Sequence, residues 1–253
     1  MNSNFFRLLV AAPMLLIAPA LHAVTFDFNS NNASFTTSSG VTGGTAATDW
    51  TYGASAVSGA GNAWSVAGSQ PGGGFSAFAA IISPNLTIST TGSVQLTFDH
   101  RFSFEVDGNG NYDGGQVMIS LNGGAFTTVS AFTQNGYTGS VTANGNSYMA
   151  TQAAFIGVSS GYGTPAYITS IASLGTFTAG DTLRVQFFGA WDQNTLGTPA
   201  GTTPNWVVDN VTVSNTAVPE PQTYAGIAGL AMLGWATYRR RLSHGSKFAA
   251  PAL

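Results

Sequence analysis

The chain has 253 residues, no cysteine and only 7% charged residues, with seven Lys+Arg against ten Asp+Glu. Ordinary domains carry about 25% charged residues. Without cysteine there is no disulfide framework and no Cys-ligated metal. A net charge of −3 with so few cations argues against a nucleic-acid partner, whose phosphates must be neutralised. The charge is also unevenly placed. Residues 1–23 carry Arg7 alone, residues 24–218 carry nine acids against Arg101 and Arg184, and beyond them Arg239, Arg240, Arg241 and Lys247 face only Glu220. An acidic middle between basic ends fits an exported domain whose ends are handled at a membrane.

In chain order, the first segment is Arg7 followed by a 13-residue apolar run, Leu8–Ala20, interrupted by Pro13 and Pro19. One cation, a short apolar stretch and small residues near Ala23 read as a secretory signal peptide over 1–23. The run is too short to span a bilayer, which needs about 20 residues. Cleavage is expected after Ala23, with Ala20 as the alternative.

Residues 24–217 read as one all-β domain. β-Branched and aromatic runs alternate with Gly, Ser, Thr and Asn turns, and no window of helical period appears. The strongest strand is Ser93–Glu105. Val94, Leu96, Phe98, His100, Phe102 and Phe104 fall on one face, and Gln95, Thr97, Asp99, Arg101, Ser103 and Glu105 on the other. Gly115–Leu121 follows, with Val117, Ile119 and Leu121 inward, and Asn122-Gly123-Gly124 turns it into Ala125–Phe132 as a hairpin. Thr182–Trp191 and Trp206–Val213 are later strands. Shorter ones are expected at Val24–Phe28, Ala63–Val66, Ala77–Ile82, Leu86–Ser89, Ala153–Val158, Tyr167–Ile171 and Leu174–Phe177. Residues 30–62 and 133–150 read as loops or irregular edge strands. A dozen short strands predict a two-sheet jelly-roll sandwich.

The end of the chain has three ordered parts. Val218-Pro219-Glu220-Pro221 breaks the preceding strand. Residues 224–238 are fifteen uncharged, mostly apolar residues, read as a short C-terminal transmembrane helix. Arg239, Arg240 and Arg241 then hold that end in the cytoplasm, ahead of a basic tail over 242–253. At about 1.5 Å per residue the apolar part covers roughly 22 Å, short of a hydrocarbon core about 30 Å thick.

This ordered set resembles a PEP-CTERM sorting signal. The resemblance implies that the chain is an exosortase substrate, exported by a Gram-negative bacterium to its surface or extracellular matrix. It departs from the family in the twelve residues that follow the arginines. The middle also resembles the jelly-roll modules appended to secreted bacterial hydrolases, themselves similar to MAM-type and carbohydrate-binding sandwiches. The match runs through Leu96–Phe102, Tyr112–Gly124, Asn135–Gly139, Leu183–Phe187 and Trp206–Val211.

Chemistry is sparse. The domain's single histidine, His100, alternates inward and reads as a core residue. No nucleophile elbow or His-Glu-x-x-His helix is present, and Glu105 is the only glutamate before residue 220. In the loop after Glu105, the residues Asp107, Asn109, Asn111 and Asp113 offer oxygens at every second position. They form either half of a calcium loop or a turn that bonds its own backbone. Asp209 aligns with Val207, Val211 and Val213, where a carboxylate needs a partner. The resemblance implies a structural calcium shared with Asp27 near the first strand; pairing with Arg184 or capping of backbone amides is the alternative. Trp191, at a strand exit, is the candidate for stacking on a glycan. The reading is a non-catalytic, adhesive or glycan-contacting surface protein, whose partners are an exosortase, the membrane and extracellular polysaccharide. The alternative is a secreted hydrolase with an unrecognised site.

Overall fold

The computed structural model describes residues 21–57, 59–193, 196–199, 202–217 and 221–245. The apolar run of the expected signal peptide, Val218, Pro219 and Glu220 of the expected sorting motif, and the last eight residues lie outside the described residues. Two units are compact, one over Leu21–Val218 and one holding the C-terminal helix.

The first unit is all-β and antiparallel. Its strands run β1 (Leu21–Phe26), β2 (Thr36–Val41), β3 (Thr51–Ala54), β4 (Asn62–Val66), β5 (Ala77–Ile82), β6 (Leu86–Thr87), β7 (Gly92–Phe102) and β8 (Gly114–Leu121). They continue as β9 (Thr127–Thr128), β10 (Phe132–Gln134), β11 (Gly139–Ser140), β12 (Ala153–Ala154), β13 (Ile168–Phe177), β14 (Thr182–Trp191) and β15 (Trp206–Ala217). One sheet is ordered β10-β13-β7-β15-β4-β3, with β1 also paired to β15. The other is β2-β5-β14-β8-β9, with β6 also paired to β14. Apolar side chains from both sheets form one core, so the unit is a β-sandwich.

The inward set of β7 holds: Val94, Leu96, Phe98, His100 and Phe102 are buried, and Ser93 and Gln95 of the other face are exposed. Arg101, expected on the wet face, is instead buried, with its guanidinium over the Tyr162 ring. The β8–β9 hairpin also forms, with Met118 opposite Thr128. The expected strand Ala125–Phe132 instead divides. Its first part stays with β8, and its end, β10, pairs with β13 in the other sheet. Leu121 is 38% exposed because it ends its strand at the turn.

The main correction concerns β15. Trp206 and Val208 face the core, and so do Val211 and Val213, although the two pairs differ in parity. Asn210 takes a left-handed φ of 48° and the register to β7 shifts between Asp209 and Thr212. This bulge exchanges the two faces of the strand. Val207 and Asp209 therefore lie on the outer face, opposite Arg101 and Asp99 of β7, and not with Val211 and Val213.

Two end boundaries also move. β1 begins at Leu21, and Leu21–Ala23 pair with Ser214–Thr216, so the expected domain start at Val24 falls inside a strand. In the second unit, α1 (Pro221–Gly245) runs through Arg239, Arg240 and Arg241, well past the expected 224–238. Among the described residues no helix is long and apolar enough to cross a membrane. The expected transmembrane helix is thus corrected to a helix whose fifteen-residue apolar part is too short to span.

Close approach of the sheets depends on one glycine. A Cβ on Gly115 would stand 2.6 Å from Trp206 Cζ3 and 3.0 Å from Phe104 Cζ. Gly115→Ala should therefore destabilise the sandwich by about 1–3 kcal/mol through overpacking, checked by urea denaturation with an unchanged m-value.

Candidate functional site

The acidic loop between β7 and β8 is mostly occupied with its own backbone. Asp107 Oδ1 accepts the backbone N–H of Asn109 (2.6 Å) and of Gly110 (3.0 Å), and these bonds, that to Asn109 foremost, lower its pKa. Asn109 Nδ2 donates to Asp107 Oδ2 (3.2 Å), and Asn111 Nδ2 donates to the Ser140 carbonyl (3.0 Å). Asp107 and Asn109 are exposed. The turn reading therefore holds for Asp107 and Asn109, and the four-residue ligand set is not assembled as expected.

Asp113 goes elsewhere. It is wholly buried, its Oδ1 accepts the Asp192 backbone N–H (2.9 Å), and its Oδ2 has no hydrogen-bond partner. Glu105, Asp113 and Asp192 each place a carboxylate oxygen within 4.8 Å of the other two. Burial pushes the Asp113 pKa well up; the backbone amides of Asp192 and Glu105 oppose this, and the side-chain charges of Asp192 and Glu105 add to it. Glu105 and Asp192 are 87 positions apart in sequence, which is why sequence reasoning missed the set. The only available signal was that all three acids sit within three residues of a strand end.

A second group of acids lies on the outer face of the first sheet. Asp99 and Asp209 are directly opposed across β7 and β15. Asp99 accepts Thr169 Oγ1 (2.6 Å) and Asn210 Nδ2 (3.0 Å). Asp209 is buried, its Oδ1 accepts the Asn210 amide (2.7 Å), and its Oδ2 is unpartnered. Burial raises the Asp209 pKa to about 6, with Asp99 and Asp27 contributing like charge. Asp27 itself is exposed and accepts the Asn29 amide (3.2 Å). Asp209 thus caps an amide, while Arg184 lies over the Phe126 ring at 5.2 Å.

His100 is a core residue. Trp206 Nε1–H donates to His100 Nδ1 (3.2 Å), and Nε2 meets Ser170 Oγ (2.8 Å), which donates onward to the Asn135 carbonyl (2.6 Å). With Nδ1 accepting, Nε2 carries the proton, and both ring nitrogens and the Ser170 hydroxyl are satisfied. Phe98, Phe102 and Phe155 surround the ring. Trp191 is also buried, at 0% exposure, and its Nε1–H donates to Asn205 Oδ1 (2.8 Å). Its expected role in glycan stacking is corrected: a wholly buried ring offers no face to a sugar. Trp50, Trp64 and Trp206 are likewise buried.

Among the described residues, a groove of about 310 Å³ lies around β3 and β4, and a shallower depression of about 360 Å³ lies beside β9, lined by Ile119, Thr127 and Leu174. Thr51, Ser55, Ser65 and Thr203 line the groove with hydroxyls, and Pro204 and Val207 with apolar surface. Ser55 Oγ also bonds Tyr167 Oη (2.7 Å), beside the Asp209 carboxyl. The lining carries no charged side chain.

No protein-family model and no curated protein matches the chain. Among solved structures, the C-terminal CBM6 of LamC, a marine laminarinase from Zobellia galactanivorans, is 11% identical with a TM-score of 0.36, over 77% of this chain and 100% of that one. The catalytic domain of Agl-KA is 14% identical with a TM-score of 0.27, over 81% of this chain and 30% of that one. At these TM-scores neither similarity carries an argument, and the fold rests on this chain's own strand pairing.

Two of the shifted groups, His100 and Asp209, make opposite contributions to the pH dependence of stability. Burial lowers His100 from 6.5 to about 3. Between those values the unfolded chain binds the extra proton, so this contribution falls as pH drops from about 6.5. Asp209 rises from 3.8 to about 6, so the native state holds its proton longer and stability falls as pH rises across that interval. Asp209→Asn removes only the second effect and keeps the oxygen that accepts the Asn210 amide. The variant should melt higher than wild type at pH 8 and converge with it by pH 4, as measured by thermal melts over a pH series.

Proposed function

We propose that the chain is an exported, non-catalytic protein of the bacterial cell surface or extracellular matrix. On this reading an exosortase sorts it through its C-terminal tail, and the jelly-roll sandwich contacts extracellular polysaccharide. The observation that carries the reading is the state of α1. Leu230, Met232, Leu233, Trp235 and Tyr238 are each 62–72% exposed, and arginines follow at once. Contiguous exposed apolar side chains are unfavourable in water and mark a contact surface. A basic cluster beside them suits an anionic membrane surface. Arg239 already lies over the Trp235 ring at 4.8 Å, an arrangement suited to the bilayer interface. The membrane engagement proposed is therefore shallow, at a helix presented to the sorting enzyme.

Support for glycan contact is the uncharged, hydroxyl-lined groove beside Val207. Hydroxyls with flanking apolar surface match the donors, acceptors and C–H faces of a neutral sugar. The sandwich's buried histidine, His100, is bonded at both nitrogens inside the core, which favours a non-catalytic module. Signal-peptide removal is part of the same reading. Pairing of Leu21–Ala23 with β15 favours cleavage after Ala20, which leaves β1 whole.

Replacing Arg239, Arg240 and Arg241 together with Gln should deplete the surface and matrix fractions several-fold. Full-length chain should accumulate in the cell envelope. Cell fractionation with intact-mass measurement checks this; wild-type distribution of the triple variant, or turnover of a glycan by the purified protein, would sink the reading.

A further inference from the structure

We propose that Glu105, Asp113 and Asp192 form a divalent-cation site, suited to calcium, that joins the two sheets at one end of the sandwich. The inference is independent of how the chain is sorted. Glu105 follows the end of β7 in the first sheet, Asp113 immediately precedes β8, and Asp192 immediately follows β14. β8 and β14 are neighbours in the second sheet, with Gly114 opposite Ala190, so Asp113 and Asp192 emerge together. The site therefore draws one ligand from one sheet and two from the other.

Three observations point to a cation. First, calcium binds carboxylate oxygens at about 2.3–2.6 Å, so two ligands on one ion stand at most about 5 Å apart. The three oxygens, all within 4.8 Å of one another, fit on one coordination sphere. Second, Asp113 is 0% exposed and its Oδ2 has no hydrogen-bond partner. A buried carboxylate oxygen without a donor is costly, and coordination of a cation removes that cost. Third, the sandwich's two arginines are engaged elsewhere: Arg101 lies over the Tyr162 ring at 4.1 Å, and Arg184 over Phe126. The donors are all hard oxygens, with no thiol in the chain and His100 held in the core, which excludes a soft-metal preference. Magnesium, which prefers near-ideal octahedral geometry at about 2.0–2.1 Å and keeps its waters, suits a set of three spaced carboxylates less well.

The acidic loop supplies the local reason for the geometry. The Asx turn at Asp107 and the bridge between Val106 and Asn111 fold the chain back on itself. Glu105 and Asp113 are thereby brought together from eight positions apart. Asp113 Oδ1 is fixed by the Asp192 amide, which leaves Oδ2 for the ion.

The test uses the full-length protein stripped with EDTA, titrated with calcium chloride by calorimetry and melted with and without the ion. The expected result is one ion per chain. At free calcium about a hundred times Kd, the unfolding constant should fall about 100-fold, a rise in Tm of roughly 5–10 °C. Magnesium should give a smaller shift. Asp113→Asn should abolish both the heat and the shift, yet melt no lower than wild type in EDTA, because it removes a buried charge and keeps the accepting oxygen. Asp192→Asn, at a half-buried position, is the second variant and should also lose the shift. Asp107→Asn and Asp209→Asn should keep it. Overlapping wild-type curves with no binding heat would overturn the site, as would a shift that survives Asp113→Asn or disappears in Asp209→Asn.

Discussion

The side-chain parity of β15 governs what this molecule presents to solvent and what it hides. β15 is flanked by β7 on one side and by β4 and β1 on the other, so its two faces are those of the whole first sheet. A regular strand would carry Trp206 and Val208 into the core and leave Val211 and Val213 outside. The bulge at Asn210 lets all four be buried. Asn is among the few non-glycine residues that tolerate a left-handed φ, so the local chemistry suits the exchange. The consequence is that Asp209 stands across from Asp99 on the outer face, with one oxygen tied to the very amide that the bulge releases from the ladder.

That exchange also marks where the sequence was legible and where it was not. β7 was readable because its apolar residues alternate from Val94 to Phe102, and His100 kept its place in that inward set; the burial of Arg101 on the other face was not readable, because it depends on Tyr162 from a distant loop. The β8–β9 hairpin was readable from Asn122-Gly123-Gly124. β15 was readable as a strand but not as two half-strands of opposite parity, because Val207, Val208, Val211 and Val213 supply apolar residues to either choice. Trp191 looked like an exit residue because polar side chains follow it. It is buried because Asn205, distant in sequence pattern though not in space, accepts its indole N–H. The division of 125–132 between two sheets was equally invisible, since a sheet change needs no residue type that a simple strand lacks.

The same logic separates the two readings of the acidic loop. Local hydrogen bonding, set by residues two and three positions apart, fully accounts for Asp107 and Asn109. Asp113 answers to a different neighbourhood, because a strand begins one residue later and carries it beneath the end of β14. Regular oxygen spacing along a chain says little about ligation when a turn reverses it midway. Oxygens from separate strand ends are what the fold brings together, and those are the ones sequence spacing cannot show.

A sandwich with nine acids and two arginines cannot neutralise its carboxylates from within. Exposed acids need no neutralising, and Asp107 and Asp181 have local amide and side-chain donors that hold their pKa values down. The buried acids are the problem, and Asp209 and Asp113 represent its two solutions. Asp209, with one like charge opposite and a hydroxyl nearby, is left to titrate near neutral pH as part of the outer face. Asp113 has two further carboxylates converging on it, from the ends of separate strands, and their like charges add to the cost of its burial. A cation drawn from outside the chain removes that cost. Because the three groups come from both sheets, the same event ties together the two layers of a domain that has no disulfide to do so.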